Sequence, residues 1–302
     1  MPQNSARSLT CFILCDYPKK RCLASQHNYD GRRLGSAYFF SESSVTENNI
    51  PDEERDLLRD IAQRLAASDK AVAFTGAGIS TESGIPDFRS PGGVWSRTKP
   101  VMYQEFLSEH DARVRYWAMK KEAYADFAQA EPNAGHLALA RLESDGRLCA
   151  LITQNIDGLH QRAGSRNVLE LHGTNLEATC VACQWRCPID EAHEQIDAGR
   201  DVPVCPECEG WLKPATISFG QNLPVDVLSD AEKASIETDL FLAIGSSLVV
   251  YPAAGLPEAA ARYGAFLAIF NREPTPLDDL ADAVIRTPIG AAFDELLRLY
   301  QG

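Results

Sequence analysis

The sequence has no apolar run of about 18 residues, the length a membrane-spanning helix needs. Its longest apolar stretch, Leu240 to Ala254, is broken by Gly245, Ser246, Ser247 and Pro252. A membrane-spanning helix is not expected. Positive charge is scarce, with 29 Lys and Arg against 42 Asp and Glu, a net −13. Such a surface repels a phosphate backbone, which argues against nucleic acid as a partner. It aids solubility and is compatible with lysine-rich protein tails. No secretory signal is visible, because Cys11-Phe12-Ile13-Leu14 is shorter than the roughly 7–15 residues of a signal core. No internal repeat is present. Nine cysteines is an odd number, and a chain this long has little need of a disulfide scaffold.

What is present is ordinary for a globular protein: 302 residues, 45% hydrophobic and 24% charged. That length allows one large domain or two smaller ones and buries a sizeable core. Residues 1–50 differ from the rest. They hold six Lys and Arg against four Asp and Glu, are rich in Ser and Asn, and have no sustained period. They read as a disordered extension. An organelle-targeting segment and a start-codon artefact stay open as alternatives.

From Pro51 onward the chain alternates helix and strand. Asp52, Glu53 and Glu54 put acids in a first helical turn, and Leu57, Leu58, Ile61 and Leu65 recur at helical spacing. Ala71 to Thr75, Leu148 to Thr153, Leu240 to Ile244 and Ala265 to Phe270 read as buried strands. Asn133 to Ser144 and Ala253 to Arg262 read as helices. This rhythm predicts an α/β fold, a parallel sheet with helices on both faces. Residues 92–130, aromatic and helical, and 176–213, rich in cysteine, interrupt it and are expected to form a smaller lobe. The larger unit is then 51–91, 131–175 and 214–300.

Several strand ends carry small or polar residues. Gly76-Ala77-Gly78-Ile79-Ser80 follows the first strand. Small residues there let the backbone approach a pyrophosphate, and the following N–H groups can cradle it. The match to G-x-G-x-x-G is incomplete, since Thr81 holds the third glycine position, and a tight strand-to-helix turn explains the same residues. Asp87-Phe88-Arg89 lies in a Gly/Pro-rich loop able to close over a nucleotide or to form a capping salt bridge. Thr153-Gln154-Asn155-Ile156-Asp157 follows a strand at the edge where open α/β sheets bind ligands. Gly245-Ser246-Ser247 and Asn271-Arg272-Glu273 follow two more strands. One long ligand across the sheet edge, of dinucleotide length, accounts for all of them. His172, in Glu170-Leu171-His172-Gly173, is a candidate general base because imidazole titrates near neutrality.

The most specific signal is Cys180-x2-Cys183 followed, after 21 residues, by Cys205-x2-Cys208. Two such knuckles suit tetrahedral zinc, and four thiolates close its coordination sphere, so the metal is structural. Cys187 is a spare thiol, and Cys149 reads as a small core residue.

Together these motifs resemble the sirtuin family of NAD-dependent protein deacylases from about Glu53 to Leu297. They run in family order: GAGISTESGIPDFRS, TQNIDGLHQRAG, ELHG, the two knuckles, FGQ, GSSL and NRE. Arg115-Tyr116-Trp117 and Gln154-Asn155-Ile156-Asp157 are most similar to the branch called class II. The resemblance implies a Rossmann-like domain that binds NAD, beside a small zinc domain. It implies that Gly76, Ala77, Gly78 and Ser80 face the pyrophosphate and ribose. Asp87, Phe88, Arg89 and Trp95 belong to the cofactor loop in that resemblance. Gln154, Asn155, Ile156 and Asp157 orient the nicotinamide half. Gly245, Ser246, Ser247, Asn271, Arg272, Glu273 and Ile289 hold the adenosine half. Cys180, Cys183, Cys205 and Cys208 bind the zinc.

The resemblance further implies the activity. Acetyl or other acyl groups leave protein lysines, giving nicotinamide, free lysine and O-acyl-ADP-ribose, with His172 as base beside Asn155 and Asp157. The acyl-lysine peptide adds as a strand between Phe219-Gly220 and Leu248-Val249. Trp117 and Lys120 align with an acyl-channel Tyr and Arg of relatives that remove acidic acyl groups. Lys lacks Arg's bidentate fork, so an acidic-acyl preference is not expected. Mono-ADP-ribosyl transfer to protein acceptors is the alternative activity. The expected location is cytoplasmic, or the mitochondrial matrix in a eukaryote. Gln221 and Ser246 depart from the commoner Glu and Thr of the family.

Overall fold

The computed structural model describes residues 50–87 and 99–302, apart from the side chains of 125 and 126. The expected extension, Ile50 excepted, and Phe88, Arg89 and Trp95 lie outside the described residues. Ile50, expected in the extension, is buried in the core instead.

The chain runs α1 (Asp52–Ala67), β1 (Ala71–Thr75), a short 3-10 helix (Ala77–Ser83), α2 (Tyr103–Ser108), α3 (His110–Gln129), α4 (Ala134–Ser144), β2 (Leu148–Thr153) and α5 (Leu159–Ala163). It continues with β3 (Val168–Glu170), β4 (Gly173–Cys180), β5 (Arg186–Pro188), α6 (Ile189–Asp197) and β6 (Leu212–Thr216). It ends with α7 (Val225–Glu237), β7 (Leu240–Ile244), α8 (Gly255–Arg262), β8 (Phe266–Phe270), β9 (Ala283–Ile285) and α9 (Ile289–Gln301).

Six strands form a sheet in the order β3-β2-β1-β7-β8-β9, with every pair parallel. Both faces are covered, because successive side chains of a strand point to opposite sides. Ala71 and Ala73 of β1 pack with Leu240, Leu242 and Ile244 of β7 beneath α1, α4 and α9. Val72 and Phe74 pack with Phe241 and Ala243 on the other face, beneath α7 and α8. A strand buried on both faces must be apolar throughout, which is why β1 and β7 read as continuous apolar runs. Burying each Phe or Leu contributes about 1.5–3 kcal/mol.

The strand order reverses between β1 and β7, where loops diverge and leave a crevice. The register aligns the strand ends: Glu170, Thr153, Thr75, Ile244, Phe270 and Ile285 stand level. The polar segments that the sequence marks begin just beyond that line.

A second, antiparallel sheet has the order β5-β4-β6. Ala178, Cys180, Cys187 and Leu212 of this sheet share one core with Phe106 of α2 and Tyr116 and Trp117 of α3. β4 leaves the main sheet directly after His172, so the two sheets are joined at the candidate base.

Candidate functional site

Gly76 and Gly245 occupy the two strand ends flanking the reversal. The N–H of Gly76 donates to the Ile244 carbonyl at 3.0 Å, and that of Gly78 to the Gly245 carbonyl at 2.8 Å. Gly245 has φ +61°, in the left-handed region that favours glycine. Its Cβ, if present, would lie 2.3 Å from the Ile79 nitrogen. These glycines let the two turns pack on each other. The N–H groups of Gly76 and Gly78 are committed within the fold. Ala77 lies half-buried beside them.

Ser80, Asn155 and Asp157 are buried together. Ser80 Oγ donates to Asp157 at 2.7 Å, and the Asn155 amide donates to Ser80 Oγ at 3.1 Å and to the Gly76 carbonyl at 3.2 Å. The other Asp157 oxygen accepts the Leu159 N–H at 3.0 Å. Burial raises the Asp157 carboxyl above its ordinary value, and the bonds from Leu159 and Ser80 counter it. The half-buried Ile156 accepts the Asn175 N–H at 2.9 Å through its carbonyl.

Gln154 links three strand ends. Its N–H donates to the Thr75 carbonyl at 3.0 Å, and its side-chain amide donates to Ser246 Oγ at 2.9 Å. Its carbonyl lies 2.9 Å from His172 Nδ1. A carbonyl can only accept, so the His172 proton sits on Nδ1 and Nε2 is the basic nitrogen.

Asn271 closes on its own turn, donating to the Glu273 carbonyl at 2.7 Å, while Arg272 and Glu273 are exposed. Ser247 and Asp87 are half-buried. Ile289 begins α9 and packs against the main core beside Gly135. Asn271 and the Gly245-Ser246 turn follow adjacent parallel strands. The ends of β2, β1, β7 and β8 span three gaps of about 4.8 Å, roughly 14 Å. Amides, hydroxyls and carboxylates strung over that distance fit a dinucleotide such as NAD.

The expected peptide rails are Phe219-Gly220 and Leu248-Val249. Phe219 is 44% and Val249 49% exposed. The Phe219 carbonyl accepts the Tyr103 N–H at 2.9 Å, which ties this rail to α2. Leu248 turns its side chain into the core and has φ +53°, so only its backbone can meet a peptide. Trp117, expected on an acyl-channel wall, is 1% exposed, and its indole N–H donates to the Leu212 carbonyl at 3.1 Å. It packs in the core of the small sheet because α3 lies across β6. Lys120 is half-buried, its ammonium 5.7 Å from the Tyr116 ring centre.

The four knuckle thiols converge. Cys180 and Cys208 sulfurs are 3.5 Å apart, Cys183 and Cys205 sulfurs 3.7 Å, and all four lie within 4.8 Å of one another. These separations exceed a disulfide bond of about 2.05 Å. They match the edges of a tetrahedron with zinc–sulfur bonds of about 2.3 Å. The residues therefore fit one structural zinc.

Sequence reasoning missed Asn175. It is buried, and its Oδ1 has no hydrogen-bond partner among the described residues. It lines a cavity of about 230 Å³ with Tyr124, Phe127, Ile156, Asp157 and Leu176. No motif marks it. Only the position of β4 beside the Gln154–Asp157 loop reveals it.

Fold and site define a class: an α/β nucleotide-binding enzyme with a four-thiolate zinc module. The Sir2 family model matches residues 76–252. An NAD-dependent protein deacetylase of Rhodopseudomonas palustris is 48% identical over 232 residues, covering 76% of this chain and 92% of that protein. Solved structures agree. Sir2 with a p53 peptide and NAD+ has a TM-score of 0.73 at 39% identity, covering 80% of this chain and 97% of the other. A histidine-to-alanine Sir2 variant with deacetylated p53 peptide and 3′-O-acetyl ADP ribose has 0.74 at 39% identity, covering 80% and 97%. The chain belongs to the Sir2 family.

Proposed function

We propose that this chain is an NAD-dependent protein-lysine deacetylase that yields nicotinamide, free lysine and O-acetyl-ADP-ribose. The observation that carries the reading is the His172–Gln154 bond. It holds a basic Nε2 at the strand end that also bears Asn155 and Asp157. The similarity to NAD-dependent protein deacetylases supports the same reaction. Residues 51–91, 131–175 and 214–300 form the NAD-binding unit in this reading, and 92–130 and 176–213 the zinc-bearing one.

NAD, when bound, supplies an electrophilic ribose carbon with nicotinamide as its leaving group. Asn155 and Asp157 orient the nicotinamide ribose and carboxamide, held by Ser80. His172 Nε2 takes a proton from a ribose hydroxyl, and the Gln154 carbonyl steadies the cation that forms on the ring. Gln154 and Ser246 tie the adenosine side to this base. The substrate backbone lies between Phe219-Gly220 and Leu248-Val249, where main-chain bonds give affinity with little sequence preference. Zinc takes no part in the chemistry because four thiolates close its coordination. A cytoplasmic site of action fits six described cysteines carried as thiols and ligands. No described helix is long and apolar enough to cross a membrane.

The test is incubation of the protein with NAD and acetyl-, succinyl- and long-acyl-lysine peptides, beside His172→Ala, with products followed by mass spectrometry. Deacetylation with O-acetyl-ADP-ribose is expected, and only in the wild type. Intact acyl groups with ADP-ribose on protein would establish the transferase activity instead.

A further inference from the structure

His136, in the first turn of α4, and His160, in α5, face each other beneath the strand ends. Both are buried, at 0% and 1% exposure. Their ring centres lie 4.8 Å apart with planes at 55°. His136 Nδ1 accepts the Asn133 N–H at 3.4 Å as part of the α4 cap. An accepting Nδ1 puts the neutral ring's proton on Nε2. His160 Nε2 lies 2.9 Å from Thr75 Oγ1, which donates to Thr153 Oγ1 at 2.8 Å. Thr153 Oγ1 also accepts the Asn155 N–H at 3.0 Å.

Two atoms of this cluster are left over. His136 Nε2 and His160 Nδ1 are buried without hydrogen-bond partners among the described residues. A buried polar atom left without a partner is costly. Burial holds both rings below the ordinary histidine value, His136 at about 4 and His160 at about 3, so both are neutral near pH 7. One orphan is then a donor. The other is an acceptor, provided that His160 carries its proton on Nε2 and gives it to Thr75. In the opposite tautomer both orphans would be N–H donors, and neither could satisfy the other. Ring centres 4.8 Å apart are close enough for an N–H···N bond between the two rings.

We infer that His136 Nε2–H donates to His160 Nδ1, completing a one-way chain through Thr75 and Thr153 that positions Asn155 for NAD. His136, His160 and Thr75 donate in turn from α4 toward β1 and β2, and the Asn155 N–H meets them from the other side at Thr153 Oγ1. The chain fixes the rotamer of Thr153, and so the lone pair that holds the Asn155 backbone. His136 and His160 are positioning residues, remote from the reacting atoms. The inference deepens the NAD-dependent reading and rests on it for the kinetic effect, but the bond itself does not.

The closing experiment has two arms on the full chain. In the first, ¹⁵N-histidine NMR of the wild type is expected to show both rings neutral, with protons on Nε2 and a hydrogen-bonded Nδ1 in His160. A proton on His160 Nδ1, or an Nδ1 without a hydrogen bond, overturns the inference. This arm needs no turnover. It decides the bond even if the protein proves inert, an outcome that sinks the proposed activity alone. In the second, His136→Leu removes the donor and His136→Gln keeps one. Leu is expected to raise the KM for NAD about tenfold while the KM for acetyl peptide holds, and Gln to restore most of it. Equal effects of both variants, or an unchanged KM for NAD with only a lowered Tm, overturn the positioning role.

Discussion

The Gly78 N–H donates to the Gly245 carbonyl at 2.8 Å, so two turns that the sequence marks as phosphate-binding are in contact with each other. A Cβ on Gly78 would meet the Gly245 Cα and carbonyl oxygen at 2.7 Å. Neither can give way without moving β7. Gly78→Ala is expected to destabilise the protein by about 1–3 kcal/mol. Gly255, at the start of α8, has only the Tyr251 ring near it, at 3.8 Å. Gly255→Ala is expected to be neutral or to stabilise by about 0.5–1 kcal/mol. Thermal melts of both variants check the contrast, and equal melts would show that the turn contact carries no stability.

His172→Gln keeps a polar group of similar size but no basic nitrogen. Loss of a general base costs about 10²–10⁴-fold in rate. The expected outcome is a fall of that size in kcat, with NAD binding retained by calorimetry. A variant that also loses NAD would move His172 from base to binding residue.

Much of this was legible because strand and site chemistry are adjacent in sequence. β1, β2 and β7 match their sequence-read bounds, since burial keeps these strands apolar almost throughout; Cys149 of β2, read as a core residue, is exposed instead. Gln154, Gly76, Gly245 and Asn271 stand out as the polar or small step directly after such a run. The cysteine spacing is equally local. β3 and β9 escaped notice because each has three residues, too few to show a period. The burial of Trp117 is not legible locally, because its indole N–H donates to Leu212 of β6, 95 residues away. Nothing in the sequence pairs His136 with His160, which stand 24 residues apart. The unpaired nitrogens that join them exist only once α4 and α5 meet.

The zinc module gives a third prediction. Wild-type protein should contain one zinc per chain by elemental analysis. Cys205→Ser, which replaces a buried ligand, should lose it. Metal binding at such sites is coupled to folding and contributes on the order of several kcal/mol. The melt should therefore split or fall markedly, while the helix signal of the main sheet unit persists at low temperature. A zinc-free variant with an unchanged melt would rule out a structural role.

Tyr116 and Lys213 give the fourth. Lys213 is 2% exposed and donates to the carbonyls of Pro214, at 3.1 Å, and Thr216, and no described carboxylate pairs with it. Its ammonium lies 5.6 Å from the Tyr116 ring centre, and Tyr116 Oη is 3.1 Å from Thr216 Oγ1 and 3.3 Å from Ser218 Oγ. Burial alone would raise the phenol. The Lys120 and Lys213 ammoniums, with the Ser218 and Thr216 hydroxyls, outweigh it and bring Tyr116 down to about 8. Burial pushes Lys213 itself below the ordinary lysine value. The unfolded phenol titrates near 10, so between pH 8 and 10 the unfolded state holds a proton that the folded state has released. Stability from this group therefore rises as pH climbs through that window, by about 2–3 kcal/mol at most, and is lost below it. The lowered lysine acts in the same direction. Ultraviolet titration should show one of the nine tyrosines ionising near pH 8. Lys213→Met, which removes one cation and fills the same space, should move that transition upward and flatten the rise of Tm with pH. If every tyrosine of the folded protein titrates together near 10, the two ammoniums do not govern Tyr116, and Lys213 is held by its carbonyls alone.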